Sequence, residues 1–466
     1  MDFKAEYGSI VENDRSVQEV LLKGREFREK YIDPAAAGID ARMLLDPHYS
    51  PDDIMKKGCD YGFFSFPIPQ FIGGGGRTIL HSAVLLEELC SGCAGIGNIF
   101  GAHYLGLSGI VLSMDINKYD RFLREVVKGE KRGVPVIFSA AVTEPMAGTD
   151  VEDAELLPKA RLMTSARKVK DGYVLNGRKV FISNGSIAHY NVVTFPLERD
   201  RPLETWTGFM VPAGAKGFSA SRVELKMGQR AAHAAELVFE DCFVPAENRI
   251  GLEGKGMRMT EIVLGASRAP VAAIATGIAR GAYERALDFS ENKRSGGRRL
   301  VDKQWVQMKL ADMYAKLRMA RYSYLEAARF FDDSITSSLM GNKTIMNPVM
   351  KAFGILSNTG MGMKVTSSDG FKRMTTAYVE RKIDTALAGR SLGLSSLSKF
   401  SCADTAIDVC MGALEIMGNE GAEERNMAEK YLRDAKLTQI YEGTNQLNRY
   451  AVYKHLIQRS WDRGQE

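Results

Sequence analysis

The sequence predicts an α+β protein in three parts: an N-terminal helical domain (1–138), a small central β-barrel or β-sandwich domain (139–250) and a C-terminal four-helix-bundle-type domain (251–466). Two textures carry that prediction. Apolar residues recur at helical spacing through both ends of the chain, whereas the middle is a series of short β-branched and aromatic runs separated by turn residues. Length agrees, because 466 residues favour two to four domains over a single core.

Residues 15–31 alternate charged and apolar positions at helical spacing, and Pro34-Ala35-Ala36 closes the segment. The loop Pro67-Ile68-Pro69-Gln70-Phe71-Ile72-Gly73-Gly74-Gly75-Gly76 has the glycines of a phosphate cradle. It lacks both the Lys-Ser/Thr ending of a P-loop and a preceding strand, so a connection is expected. Helices are predicted over 80–89, 100–114 and 118–127, with His103 as a core or pocket-wall residue. Strands are predicted over 136–143, 172–177 (ending in a turn), 179–183, 190–195, 207–211 and 236–239. The polar loop ends of this β region, rather than its core, are expected to carry a site. Beyond Pro245 the helical pattern returns over 257–292, 302–331 and 404–416.

Composition narrows the function. The net charge of +5, from 62 basic and 57 acidic residues, is scattered along the chain. That argues against a nucleic-acid surface and is compatible with small anionic ligands. Six cysteines in so long a chain do not make a disulfide framework. Cys90 and Cys93 form a lone CxxC with no second pair or suitably spaced His, and read as buried helix cysteines rather than a zinc or redox site. No metal site is expected. No stretch reads as apolar for long enough to span a bilayer, and Met1-Asp2-Phe3-Lys4-Ala5-Glu6 has no signal pattern, so a cytoplasmic location is expected.

The chemistry is expected near the end of the chain. Lys436-Leu437-Thr438-Gln439-Ile440-Tyr441-Glu442-Gly443-Thr444-Asn445-Gln446 reads as the end of one helix, a tight bend holding a carboxylate, and the start of another. Gly443 lets the backbone approach a ligand closely, and Thr444 is suited to cap a helix running from Asn445 through Tyr450 to Leu456. Taken alone, Glu442 reads first as an exposed acid in a helix–helix turn. The second reading is a general base whose proton affinity is raised by apolar surroundings.

Motifs distant in the chain bear on that choice. Val142-Thr143-Glu144-Pro145-Met146-Ala147-Gly148-Thr149-Asp150, then Asn176-Gly177-Arg178-Lys179-Val180-Phe181-Ile182-Ser183-Asn184-Gly185, then Tyr441-Glu442-Gly443-Thr444-Asn445-Gln446 together resemble the acyl-CoA dehydrogenase family in strings, order and spacing. Lys226-Met227-Gly228-Gln229-Arg230, Phe239-Glu240-Asp241-Cys242-Phe243-Val244-Pro245, Gly254-Lys255-Gly256-Met257 and Arg433-Asp434-Ala435-Lys436 support the resemblance. It covers most of the chain from about residue 80 onward.

The resemblance implies an FAD enzyme that oxidises the Cα–Cβ bond of an acyl-CoA thioester. Glu442 would take the α-proton while the β-hydrogen leaves as hydride to flavin N5 from the opposite side. The thioester oxygen needs donors as enolate character develops, and by the resemblance a ribityl hydroxyl and the N–H of Glu442 supply them. Val142 and Thr143 would bond the flavin pyrimidine edge, Gly148 and Thr149 would lie at the phosphate and pantetheine side, and Ser183 would bond N5. Phe181 stands where many members carry Trp; its bland reading is an inward strand residue. Ala140, Ile182, Thr444 and Gln446 complete this part of the cofactor set. Substrate contacts are expected from Thr149, Gly443, Tyr441, Tyr104 and Leu107, with Arg268 as the basic residue on the substrate side. Some members place the base on the Arg268 helix; the matching residue is Ser267, and Glu261 lies too far along, so Glu442 stands alone.

The departures fall in the far half of the cofactor site. A second subunit of the family usually reaches the FAD pyrophosphate and adenine through an RxxFG Arg and a QxxGG Gln. The corresponding stretches are Lys293-Arg294-Ser295-Gly296-Gly297 and Glu415-Ile416-Met417-Gly418-Asn419, with Gln304 in the same half. Lys loses the bidentate geometry of Arg, and Glu puts negative charge where phosphate is expected. Either Arg294 or a shifted helix compensates in a homotetramer or dimer, or a different chain completes the site in a heteromer. The segment 334–397 is longer than the family's usual connection and is expected to be a subunit contact or a pocket lid.

The main expectation is thus an acyl-CoA dehydrogenase passing electrons to an electron-transferring flavoprotein. The alternatives are an acyl-CoA oxidase or other thioester flavoenzyme of the same fold, and a non-catalytic subunit of a heteromeric dehydrogenase.

Overall fold

The computed structural model describes residues 14–340, 352, 365–366 and 368–458. Helix α1 (Arg15–Phe27) is capped by Asp14, whose carboxylate accepts from the N–H groups of Ser16 and Val17. The segment runs on through a π turn over Arg28–Ile32 and closes at the turn holding Pro34, as expected, and the short helices α2 (Ala36–Leu45) and α3 (Asp52–Asp60) follow. Next come α4 (Ile79–Gly92), α5 (Ala94–Ser113) and α6 (Arg124–Lys131), the last preceded by a wide π turn over Tyr119–Leu123. The glycine loop before α4 is a connection: the N–H groups of Gly74, Gly75 and Gly76 donate to the carbonyls of Pro69, Ser65 and Ile68, leaving none of them for a phosphate.

The middle of the chain forms two four-stranded sheets. One orders β1 (Phe138–Ala141), β4 (Tyr190–Pro196), β5 (Trp206–Pro212) and β8 (Arg249–Ile250); the other orders β2 (Ser165–Val169), β3 (Gly172–Ser183), β7 (Ala234–Pro245) and β6 (Phe218–Val223). Only β1 with β4 is parallel. A separate core lies here, with Phe195, Phe209, Leu237 and Phe239 at its centre. The turn expected after 177 is instead a register shift inside one strand, where Gly177 adopts φ +120°. Strands β2 and β6 were hidden from periodicity because their polar residues face outward at the sheet edges.

The chain then returns to helix: α7 (Gly256–Asn292), α8 (Gln304–Phe331), α9 (Asp369–Lys382), α10 (Thr385–Met417), α11 (Ala428–Thr438) and α12 (Asn445–Val452). Asp384 caps α10 far ahead of the start predicted at 404. Its first half presents small residues to α7: Ser395 Oγ donates to the Gly265 carbonyl at 2.6 Å, and Ser391, Ser396 and Ser398 are buried. A helix packed through serines carries no apolar stripe, which is why it escaped the pattern.

The N- and C-terminal helices share one continuous core, from Val17 and Phe27 through Leu85 and Phe100 to Ile278, Tyr324 and Tyr431. Two adjacent acids of α4 lie within it. Arg280 of α7 forks onto Glu88 at 2.7 and 2.8 Å, while Arg321 of α8 donates to Glu87 at 3.1 Å and Tyr324 also donates to Glu87. By composition, α5 and α7 are long and apolar enough to cross a membrane, contrary to the sequence reading; 72% and 89% of their apolar windows are buried inside this protein.

Candidate active site

The bend between α11 and α12 sets Glu442 in the left-handed region at φ +57°, followed by Gly443 at +74°. A non-glycine residue persists there only when its surroundings hold it. Three side chains do so. Arg268 Nε donates to the Glu442 carbonyl at 3.1 Å, Lys399 Nζ to the Gly443 carbonyl at 2.7 Å, and Asn448 Nδ2 to the Gly443 carbonyl at 2.9 Å. Thr444 caps α12, its hydroxyl accepting from the Leu447 N–H at 3.3 Å.

A cavity of about 460 Å³ opens in front of this bend. Glu442 faces it, with Oε2 accepting from Ser267 Oγ at 2.6 Å. Burial raises the Glu442 carboxyl above its ordinary range, against the Ser267 hydrogen bond and the charges of Arg268 and Lys399. Among the described residues, the Glu442 N–H meets no acceptor. Tyr441 also lines the cavity, its hydroxyl within 3.2 Å of Gln229, which in turn is fixed to Asp434.

The β region supplies other parts of the wall. Ala140, Val142, Thr143, Phe181, Ile182 and Ser183 all line the cavity. Phe181 is the notable one: it sits at φ +59° inside β3, in the register shift between Lys179 and Ile182, and is 61% exposed. The inward strand residue is thereby excluded in favour of an aromatic face turned to open space. The strand carrying it is tied to the Val142–Glu144 turn by buried Lys179, which donates to the Val142 carbonyl at 2.8 Å and pairs with Glu144 at 2.9 Å. Glu144 in turn accepts from the N–H groups of Met163 and Thr164. No partner within the described residues engages the Thr143 and Ser183 hydroxyls.

From α5, Tyr104 and Leu107 line the cavity, Tyr104 donating to the Phe63 carbonyl at 2.8 Å. His103 is not on the wall. It is a core residue that accepts from the Phe138 N–H at Nδ1 and contacts the Phe64 carbonyl at Nε2, and burial lowers its pKa to about 4. Helix α9, within the long 334–397 segment, adds Thr376, Val379 and Glu380 to the wall; Glu380 pairs with Lys255 at 3.4 Å. Residues 341–351 and 353–364 of that segment lie outside the described residues.

Several expected residues stand elsewhere. Arg268 is not on the substrate side: it is 1% exposed, and besides Glu442 it serves Ser396 at 2.9 Å and Glu152 at 3.1 Å. Gly148, Thr149, Gly443, Thr444 and Gln446 are off the cavity wall, Gln446 being exposed. Lys293, Arg294, Gln304, Glu415 and Asn419 are exposed at the other end of the bundle. Along α7, about 37 Å of helix separates Ser267 from Asn292, so one chain does not bring them to Glu442. There Glu415 pairs with Lys309 and Lys293 with Glu420.

Sequence reasoning missed Glu152, Lys399 and Asn448, and gave Ser267 no role. Glu152 lies just beyond the string that ends at Asp150, and an acid there was a legible signal.

A half-buried carboxylate thus faces an aromatic and two unengaged hydroxyls across one cavity. The chain belongs to the acyl-CoA dehydrogenase family: the family's N-terminal domain matches residues 16–130, its middle domain 139–242, and its C-terminal domain 254–354 and 349–457. It is an enzyme of the oxidoreductase class. A short-chain-specific acyl-CoA dehydrogenase of Clostridium acetobutylicum is 30% identical over 429 residues, covering 92% of this chain and 94% of that one. Butyryl-CoA dehydrogenase of Megasphaera elsdenii, a solved structure, is 26% identical with a TM-score of 0.73, over 98% of this chain and 100% of that one. A chain solved with the electron transferring flavoprotein of Acidaminococcus fermentans as its subject is 27% identical, TM-score 0.74, with 98% and 100% covered. The family is FAD-dependent.

Proposed function

We propose that this protein desaturates an acyl-CoA thioester between Cα and Cβ, with Glu442 as the base for the α-proton and FAD as cofactor. The observation that carries this reading is the Glu442 bend: a carboxylate of raised proton affinity, held at φ +57°, faces the cavity with its own N–H unengaged by the described residues. A base and a free N–H on one residue support this reading, since abstraction of a proton next to a thioester carbonyl requires both. The residues present fit the cofactor: Thr143 and Ser183 offer hydroxyls that the described residues leave unengaged, and Phe181 an open aromatic face. When bound there, FAD would supply the hydride acceptor. Ser267 keeps the Glu442 carboxylate aimed, and the apolar wall of Leu107, Ile182 and Ala140 excludes water from the acidified carbon.

An electron-transferring flavoprotein is the proposed acceptor of the electrons. A second copy of the chain, presenting Lys293, Arg294, Gln304 and Asn419, would complete the far end of the cofactor site in a dimer or tetramer. Pairing of Glu415 with Lys309 removes the charge conflict expected there.

The test is the visible spectrum of the purified protein before and after anaerobic addition of a panel of acyl-CoAs. Bleaching of the flavin band by a thioester is expected; failure of every member to bleach a flavin-loaded sample would overturn the reading.

The cavity also runs past Glu442 along α5, between Leu86, Asn98 and Ile274. Gly101 holds that passage open, since a Cβ there would lie 3.2 Å from Asn98 Oδ1 and 3.3 Å from Ile274 Cδ1. Gly101→Leu should therefore lower kcat/KM for long acyl-CoAs by roughly 10- to 100-fold more than for butyryl-CoA, the scale of discrimination an apolar pocket provides. Rates measured across chain lengths check this, and a uniform loss would place the acyl group elsewhere.

A further inference from the structure

The passage beyond Glu442 carries a polar group that desaturation does not use. Asn98 of α5 lines it with Leu86 and Ile274 and is 9% exposed. Its amide is oriented by Gln229, which donates through Nε2 to the Asp434 carbonyl at 2.9 Å and therefore has Oε1 as its accepting end. Asn98 Nδ2 donates to that Oε1 at 3.1 Å. One main-chain carbonyl thus fixes both amides in turn. Asn98 Oδ1 remains as an acceptor that meets no donor among the described residues. It lies beside Gly101 of the same passage, where a Cβ would stand 3.2 Å from it.

The support of this amide is itself unusual. Gln229 is 1% exposed and sits in the left-handed region at φ +48°, its N–H donating to Asp434 Oδ1. A non-glycine residue keeps such a conformation only where its surroundings fix it, and residues of this kind gather at ligand sites. Tyr441, beside the base, joins the same amide: its hydroxyl lies 3.2 Å from Gln229 Nε2 and 3.3 Å from Oε1. Asn98 Nδ2 and the Tyr441 hydroxyl therefore flank one Gln229 oxygen, both within 3.3 Å of it. When Tyr441 accepts from Nε2, its own hydrogen has only the long Oε1 contact and is available to a ligand.

We infer that Asn98 and Tyr441 form a subsite for a hydroxyl group on the acyl chain, beyond the two carbons that react. The inference rests on the reading of the cavity as an acyl-CoA site. A hydroxyl donates to Asn98 Oδ1 and accepts from the Tyr441 O–H, matching one acceptor and one donor. A keto or carboxylate oxygen would bring acceptor against acceptor at Oδ1. A cationic amine is also a poor match: the carboxylates on the cavity wall are Glu152, Glu380 and Glu442, and none is on the α4, α5 and α7 stretches that form this passage. A plain chain leaves Oδ1 desolvated without a donor.

The test is calorimetric titration of the flavin-loaded Glu442→Gln holoenzyme, which binds thioesters while consuming them only slowly. The ligands are ω-hydroxyvaleryl-, ω-hydroxyhexanoyl- and ω-hydroxyoctanoyl-CoA, each paired with the plain acyl-CoA one carbon longer, in which a methyl replaces the hydroxyl. At the length that reaches Asn98, the hydroxylated member should bind roughly 10- to 100-fold more tightly. Asn98→Leu, of similar shape, should abolish that preference by weakening the hydroxylated member alone. Equal binding within every pair overturns the inference. So does an Asn98→Leu variant that weakens both members alike, which marks a structural role, or one that keeps the preference, which places the hydroxyl elsewhere. If Asn98→Leu does not fold, Gly101→Ala sets a methyl against Oδ1 and should shrink the preference; a preference that survives it intact overturns the inference. A binding preference without flavin bleaching by any thioester in the wild type is a different result, for it supports the subsite and removes the desaturation reading.

Discussion

Glu442→Gln will slow the anaerobic bleaching of bound flavin by acyl-CoA by roughly 10³-fold while leaving flavin content and fold intact, because deleting a positioned general base forfeits about 10²- to 10⁴-fold. The amide is isosteric. Its oxygen can still accept from Ser267, and the carbonyl contacts of Arg268 and Lys399 to the bend involve backbone atoms that the substitution does not touch. Ser267→Ala should have a far smaller effect, since it removes one hydrogen bond to a carboxylate that remains in place. Stopped-flow bleaching with visible spectra of the resting protein checks both, and a Glu442→Gln variant that bleaches at the wild-type rate would exclude Glu442 as base.

The second large effect concerns stability. Glu88→Ala should destabilise the fold by about 3–5 kcal/mol, because it removes the carboxylate that takes both arms of the buried Arg280 fork and leaves it Ser91 and the more distant Glu87 and Glu284. Denaturant unfolding of the variant measures this directly. The same carboxylate gives the fold an acid limit. Burial opposes its charge, but Arg280, with Arg25 and Arg28, overcomes burial and holds its pKa down at about 2. A depressed folded-state pKa stabilises fully above the unfolded carboxylate range and is lost as pH falls through that range toward about 2. Loss of wild-type stability on acidification should therefore be blunted in Glu88→Ala, and equal acid slopes in the two proteins would contradict it.

The sequence made the layout legible because long apolar helices and alternating strands announce themselves by period. Glu442, Thr143, Phe181 and Ser183 were legible as strings, and the cavity brings them together. What stayed hidden has physical causes. Helix α10 packs through Ser391, Ser395 and Ser396, so its buried face looks polar. Strands β2 and β6 show outward residues at sheet edges. The direction of Arg268 was misjudged because a basic residue beside a binding string suggests an anion, whereas its partners Glu152, Ser396 and the Glu442 carbonyl lie 116, 128 and 174 residues away in the chain. Pairings at such separations leave no periodic trace.

The single core shared by the first and last helices also dictates the order of events during synthesis. Glu88 waits for Arg280, 192 residues later, and Glu87 for Arg321, 234 residues later. At about 5–20 residues per second, a ribosome takes roughly 10–50 s to supply these two arginines, and until then Glu88 has Arg25 and Arg28 beside it while the face of α4 that packs on α7 stays uncovered. The β sandwich, with its own core, has every strand available before α7 emerges. The middle of the molecule is thus free to fold while its beginning still waits for its end, and a chain arrested before α8 would present α4 to the cell's holding chaperones.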